Sequence, residues 1–398
     1  MEEHITATDL DALKASNEFL NLLLDNTGAA VLLMDEASGI HRFNNSFLEL
    51  FGGAECSGSF GRAMGCVHTL RENMACGETS HCGECTIHRL VRETMASGQP
   101  MEERGFTQYF HVEGRPLKKV LNVSTRRLTW HRRNLVMVLF HDVTEAEMAR
   151  VRLDRDLEAA ATIQRSLLPD GVPEIAGLDI AWRFEPCAKV GGDIFDLCRP
   201  DSRHVVLYML DVCGHGVSAA FFSVAISQYL RSRITLRSGT AGVCPPEGAL
   251  LALNEAFPFE RFDSYFTITY AVIDLVEGIL HYSSAGHPPP ILLRRSGLEE
   301  LSGGHGPAIG IAPDARYEGR AIPLEEGDKL LLYTDGILEN RNAAGEHLGK
   351  EGLFGLLERC RHGPVRELVE SACEEAKAFG KGKENDDDIS VLGAEYTG

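Results

Sequence analysis

No apolar run in this 398-residue chain approaches the roughly 18–20 residues that a membrane-spanning helix needs. Its first residues, MEEHITATDLD, lack the basic start and apolar stretch of a secretion signal. A cytoplasmic chain with no membrane partner is therefore expected. Base is scarce as well: 39 Lys and Arg face 58 Asp and Glu, a net charge of -19. A nucleic-acid partner demands a basic footprint and is set aside on that count. No internal repeat is visible. What remains is ordinary globular composition, 44% hydrophobic, and a length that suits two or three domains.

Residues 143–168 contain neither Gly nor Pro and are rich in Ala, Glu, Arg and Leu. They predict a helix, ended by Pro169. Leu153, Leu157, Ala160, Gln164 and Leu167 follow a 4-3-4-3 spacing, a heptad seam with one polar member. Two packings meet that pattern: a parallel coiled coil in a homodimer, or a helix lying on its own domain. The segment divides the chain into an α+β whole of three parts. Residues 14–145 are expected to form a small α+β domain, 146–168 a helical linker, and 169–398 the larger domain.

In the first part, LKASNEFLNLLLDN reads as a helix and AAVLLMD as a strand. VLNVSTRRLTW and NLVMVLFHDVT read as two strands joined at the polar HRRN. In the third part, strands (LDIAWRF, HVVLYMLDV, SYFTITYAVIDL, GILHYSSAG, KLLLYTDG, DISVLGAEY) alternate with helices (VSAAFFSVAISQYLRSRI, PEGALLALNEAF, LFGLLERC, VRELVESACEEAKAF). Hairpin-like neighbours predict antiparallel pairing, and hence layered sheets flanked by helices.

Four segments of this domain each place an Asp at the edge of an apolar strand. They are VGGDIFD (Asp193, Asp196), LDVCGHG (Asp211), LLLYTDGILE (Asp335) and ENDDDISVL (Asp386, Asp387, Asp388). A carboxylate is costly to bury unless it is paired or binds metal. Strand ends far apart in sequence can meet on one rim of a sheet. Mg²⁺ and Mn²⁺ prefer oxygen ligands of this kind, and two ions sharing one Asp can activate water and hold a phosphoryl oxygen. Each motif alone fits an ordinary turn; the four together, with GHG and AGHPPP, are specific.

These segments resemble the metal-dependent PPM (type 2C) serine/threonine protein phosphatases, and more closely the bacterial branch that controls sigma factors and sporulation. IQRSLLP (163–169), VGGDIFD (190–196), DVCGHG (211–216), SAGHPPP (284–290), GPAIGI (306–311), LLLYTDGILE (330–339) and DDIS (387–390) occur in the family's order. The resemblance implies an α-β-β-α sandwich and an enzyme using two Mn²⁺ or Mg²⁺ ions. Asp193 would be a metal ligand, Asp211 would bridge the ions, the Val212 carbonyl would join, and Asp335 and Asp387 would complete the set. Asp193, Asp211 and His215 carry the expected catalysis. His215 would protonate the leaving oxygen, orient water or cap its helix. His287 is expected to be structural. Ser284 and Ser390 stand where the family often has Asn and Thr. The implied reaction is hydrolysis of phosphoserine or phosphothreonine by metal-activated water, on a regulatory protein of the anti-anti-sigma-factor type.

Two rivals fit less of the sequence. A cyclic-dinucleotide cyclase shares only the GGD of VGGDIFD. A scaffold that keeps the fold without catalysis would be expected to lack one of the aspartates.

Residues 14–145 resemble a PAS sensor domain, on LLDNTGAAVLLMDEASGIHRFNNSFLELFG (23–52), the closing hairpin and the exit FHDVTE (140–145). A small-molecule or redox signal is the implied input. Of the chain's 11 cysteines, Cys56, Cys66, Cys76, Cys82 and Cys85 crowd into this part. In a cytosolic setting they do not predict a disulfide framework. Cys66, Cys76, Cys82 and Cys85, with His68, His81 and His88 among them, fit zinc, an iron–sulfur cluster, a redox pair or simply reduced, partly buried thiols.

Overall fold

The computed structural model describes residues 24–35, 39–52, 60–112, 115–130, 132–169, 171, 174–214, 216–237, 243–380 and 387–398. Most of the helix expected over LKASNEFLNLLLDN lies outside these residues. The chain divides into two compact units, 1–153 and 154–398, and the break falls within the helix Thr144–Arg165.

In the first unit, β1 (Ala30–Met34), β2 (Ile40–Phe43), β3 (Met101–Val112), β4 (Arg115–Trp130) and β5 (Arg133–Asp142) form an antiparallel sheet. Their order is β2-β1-β5-β4-β3. The expected hairpin is β4–β5, with Trp130 opposite Arg133. Alternate residues Val136, Val138 and Phe140 of β5 face a core shared with Leu32, Met34, Phe47, Phe51 and Leu90. Each such side chain contributes roughly 1.5–3 kcal/mol on burial. Asn44 caps the helix Asn45–Phe51 by accepting from the Phe47 N–H, and its amide donates to the Ala29 carbonyl. That satisfies a buried polar group which would otherwise cost stability.

Strand β3 has no counterpart in the sequence reading. Its residues MEERGFTQYFHV are exposed or half-buried except Phe110, and it lies at the edge of the sheet. The register shifts between Glu103 and Phe106, where Gly105 takes φ +67°. The bulge breaks the period-2 pattern that marks a strand.

The second unit stacks two sheets between helices. One sheet has the order β13-β10-β9-β8-β7, with β14 pairing β10. Its strands are β7 (Ile194–Cys198), β8 (His204–Val212), β9 (Phe266–Asp274), β10 (Ile279–Ala285), β13 (His305–Gly306) and β14 (Arg320–Pro323). The other has the order β12-β11-β15-β16-β6, built from β6 (Leu178–Glu185), β11 (Ile291–Arg294), β12 (Gly297–Glu300), β15 (Lys329–Tyr333) and β16 (Ile389–Tyr396).

Alternation along the second sheet fixes the layers. Leu292, Leu330, Leu332 and Leu392 point into the core shared with the first sheet. Their neighbours Leu293, Leu331, Tyr333 and Val391 face the helices Gly349–Cys360 and Val365–Gly380. On the far side, Ile226 and Leu230 of the helix Val217–Arg237, and Leu250 and Leu253 of Pro246–Ala256, cover the first sheet. The order of layers is helix, sheet, sheet, helix.

The last turns of Thr144–Arg165 pack within this unit. Leu157, Ala160 and Ala161 meet Val190 and Ala220. Gln164 is buried, whereas Leu153 is 60% exposed. The lower part of the heptad seam is thus occupied by the chain's own fold.

Candidate active site

Strand polarity brings the aspartates together. Because β7 and β8 are antiparallel, with Ile194 opposite Leu210, the start of β7 lies beside the end of β8. Asp193 immediately precedes β7, and Asp211 is the penultimate residue of β8. In the second sheet Tyr333 stands opposite Val391, so the end of β15 lies beside the start of β16. Asp335 follows β15 at the N-cap of the short helix Gly336–Glu339, and Asp387 and Asp388 lead into β16.

Hydroxyls join the two rims. The Thr334 hydroxyl donates to Asp193 Oδ2 at 2.8 Å, and the Ser390 hydroxyl donates to the same oxygen at 2.6 Å. Asp388 turns inward as a brace. Its Oδ1 accepts from the Cys187 N–H at 2.8 Å, and its Oδ2 from the Asp193 N–H at 3.3 Å. Asp387 accepts from the Asp388 N–H and stays only half-buried. Asp386 and His215 lie outside the described residues.

Glycines make the approach close. A Cβ on Gly192 would stand 2.8 Å from the Val212 carbonyl oxygen, and one on Gly191 would stand 2.0 Å from Asp388 Oδ2. Only a residue without a side chain lets the loop before Asp193 lie on the end of β8.

The electrostatics are those of crowded acid. Burial, then the carboxylates of Asp211 and Asp388, holds Asp193 well above the usual range. Burial, then Asp335, Asp387 and Asp388, pushes Asp211 up to about 8. Burial, then Asp387 and Glu339, raises Asp335. The strongest charge effects on Asp211 all come from other acids. Bringing a hard divalent cation among them would reverse that penalty, because carboxylate and carbonyl oxygens are its preferred ligands. Cys187, Asp387 and Asp388 also bring ligand atoms within 4.8 Å of one another. The donor set fits a divalent metal.

Asp196 does not join. On β7 it is buried and paired with Arg231, whose Nε donates to Oδ2 at 2.7 Å. Lys189, the base nearest in sequence to the VGGD loop, is held by Asp154 and Glu158. His287 is fully buried and shares a hydrogen bond of 2.8 Å between Nδ1 and the Thr267 hydroxyl. Thr267 stands opposite Asp211 across the β8–β9 pairing. Burial pushes His287 down to about 3; the nearby Tyr333 backbone opposes that fall without reversing it, and Nε2 meets no partner at hydrogen-bond geometry. Ser284 is buried and bonds to the Thr269 hydroxyl.

Gln164 lies within IQRSLLP, but sequence reading gave it no role at the site. Taken as the polar member of the seam, its side chain instead brackets the loop: Nε2 donates to the Gly191 carbonyl at 2.7 Å, and Oε1 accepts from the Gly191 N–H at 3.2 Å. The end of the linking helix therefore grips the loop that carries Asp193.

A two-sheet sandwich with acids at one rim defines the class, and comparison with known proteins narrows it. Residues 201–397 match the family model described as Stage II sporulation protein E (SpoIIE). The chain is similar to "Protein IcfG" of Synechocystis sp., 26% identical over 60% of this chain and 41% of that protein. It is similar to "Phosphoserine phosphatase RsbP" of Bacillus subtilis, 27% identical over 56% of this chain and 53% of that protein. The chain thus spans about half the length of these relatives. The SiaA-PP2C domain of Pseudomonas aeruginosa aligns with a TM-score of 0.55 at 22% identity, covering 63% of this chain and 98% of that domain. The C-terminal unit has the PP2C fold.

Proposed function

We propose that this chain is a signal-regulated, metal-dependent protein serine/threonine phosphatase. The observation that carries the reading is the convergence of Asp193, Asp211, Asp335 and Asp387 at the facing rims of two sheets. These four, with the Val212 carbonyl, would hold two Mn²⁺ or Mg²⁺ ions. Bound there, the ions would activate a water and offset charge on the phosphoryl group. The chain's own residues set the geometry. Thr334 and Ser390 fix which oxygen of Asp193 is free, Asp388 anchors the backbone on either side of the glycines, and Gln164 holds Gly191. The printed name of the relative RsbP supports phosphoserine as substrate. A regulatory protein of the anti-anti-sigma-factor type would carry it.

Residues 14–145 would act as a PAS-like sensor, a role supported by the five-stranded antiparallel sheet with its covering helices. The linker 146–168 would carry the signal to the phosphatase domain 169–398 in a cytoplasmic homodimer. Support comes from Met148, Val151 and Leu153, large apolar side chains exposed on the linking helix. Inserting one or two residues near Ala160 should change turnover or its response to signal. Unchanged behaviour in both respects would remove this coupling.

The test of substrate class is phosphate release by the full chain from a phosphoserine protein, beside a phosphotyrosine protein. Release from phosphoserine alone, requiring Mn²⁺ or Mg²⁺, is expected. No release, together with no metal uptake by calorimetry, would leave the catalytically silent scaffold.

A further inference from the structure

The N-terminal unit holds a second ligand set that the phosphatase reading does not use. Cys66, Cys76, Cys82 and Cys85 line one cavity together with Phe60 and Phe110. They arrive from separate places: Cys66 and Cys85 from the residues just before the helices Val67–Glu72 and Thr86–Ser97, Cys76 and Cys82 from the turns between. The cavity has about 30 Å³ of open space, where one water needs roughly 10–15 Å³.

Each thiol faces a donor. Gln108 Nε2 lies 3.7 Å from Cys66 Sγ. The Gly77 N–H donates to Cys82 Sγ at 3.2 Å, and the Thr79 hydroxyl is 3.0 Å from the same sulfur. The Gly61 N–H faces Cys76. The Ile87 and His88 N–H groups face Cys85, although that thiol does not cap its helix at full hydrogen-bond geometry. Burial, then the neighbouring thiols, pushes Cys76 up to about 12, and burial raises Cys85; the N–H donors offset that only in part, and they are placed to tune a metal that the thiolates would hold.

The spacing of the sulfurs discriminates between occupants. One zinc ion with Zn–S near 2.3 Å would place four tetrahedral sulfurs about 3.8 Å apart. Among the described residues, no three of these sulfurs lie within 4.8 Å of one another. A larger body, bound through different metal atoms, is what such a cage would hold. His68, Glu72 and His81 do bring ligand atoms within 4.8 Å beside the cavity. Of these, Glu72 accepts from the Ser80 N–H and hydroxyl, and His81 Nδ1 lies 2.9 Å from the same hydroxyl.

We infer that Cys66, Cys76, Cys82 and Cys85 ligate an iron–sulfur cluster in the N-terminal unit. This inference is independent of the phosphatase activity. The test is to prepare the full chain without oxygen and measure iron, acid-labile sulfide and zinc, before and after reconstitution with ferrous iron and sulfide. Between about two and four irons per chain, with matching sulfide and a visible charge-transfer band bleached by dithionite, are expected. Cys82→Ser and Cys85→Ser should each lose the band, and Cys360→Ser should keep it. Should the serine variants fail to fold, the iron-to-sulfide ratio of the unaltered chain still decides. Zinc without sulfide, or no uptake of iron and sulfide on reconstitution, would overturn the inference.

Discussion

In the C-terminal unit the ligand-bearing side chains sit at the ends of strands in two different sheets. In the N-terminal unit they sit in turns and at helix starts within a short stretch of chain. The first arrangement gathers Asp193 and Ser390 across 197 positions and fixes them through buried hydroxyls. The second gathers four thiols from residues 66–85 around a cavity walled by turns, short helices and the strand residues Gln108 and Phe110. Strand ends are rigid, so the acids stay crowded even at the expense of raised carboxylate pKa values. Carboxylate oxygens suit hard Mg²⁺ or Mn²⁺; thiolate sulfur suits zinc or iron–sulfur clusters.

If the contrast holds, the largest effect belongs to the acid cluster. Asp335→Ala should lower metal-dependent phosphate release by about 10³-fold, several kcal/mol of lost charge stabilisation. Iron and sulfide content should be unchanged in that variant. Loss of both would show that the two centres are not separable.

Gln164→Ala should lower turnover by roughly 10–100-fold, the range typical of residues that orient a ligand from outside. Its melting temperature should shift little, and metal affinity should fall with turnover. A loss confined to stability would make Gln164 a packing residue only.

Thr334→Val removes one of two hydroxyls on Asp193 Oδ2 while keeping the shape. A rise of about tenfold in the Mn²⁺ concentration needed for half-activity is expected. Ser390→Ala should behave alike, and the double variant should lose more than either.

The smallest effect is on stability in acid. His287 is neutral in the fold and pushed down to about 3, below its unfolded value near 6.5. The unfolded chain then binds the extra proton. His287 therefore contributes stability that is complete above about pH 6.5 and declines as pH falls toward 3, by up to about 1.4 kcal/mol per pH unit. The buried aspartates, with raised values, act in the opposite sense. The difference in stability between the chain and His287→Asn, followed from pH 7 to 5, isolates the histidine. A difference that does not change with pH would contradict the assignment.

The strands that carry the site were legible as apolar runs: HVVLYMLDV is β8 without a residue to spare. The aspartates were legible because each stands at the edge of such a run. The braces were not. Thr334 and Asp193 are 141 positions apart, and nothing local marks a hydroxyl that reaches between sheets. Gln164 followed heptad spacing, and the same spacing also lays a helix against Val190 and Ala220. Asp196 looked like Asp193 in sequence, yet standing three positions further on, inside the strand, gives it Arg231 as partner. Edge strand β3 was hidden by its charges and bulge. Local pattern reports burial; it does not report which distant group a buried polar atom meets.

The most direct measurement is phosphate release from a phosphoserine protein with Mn²⁺ and with chelator, for the unaltered chain and for Asp211→Ala. The account predicts turnover that needs the metal and disappears in the variant. Turnover that survives chelation, or that Asp211→Ala retains, would contradict it.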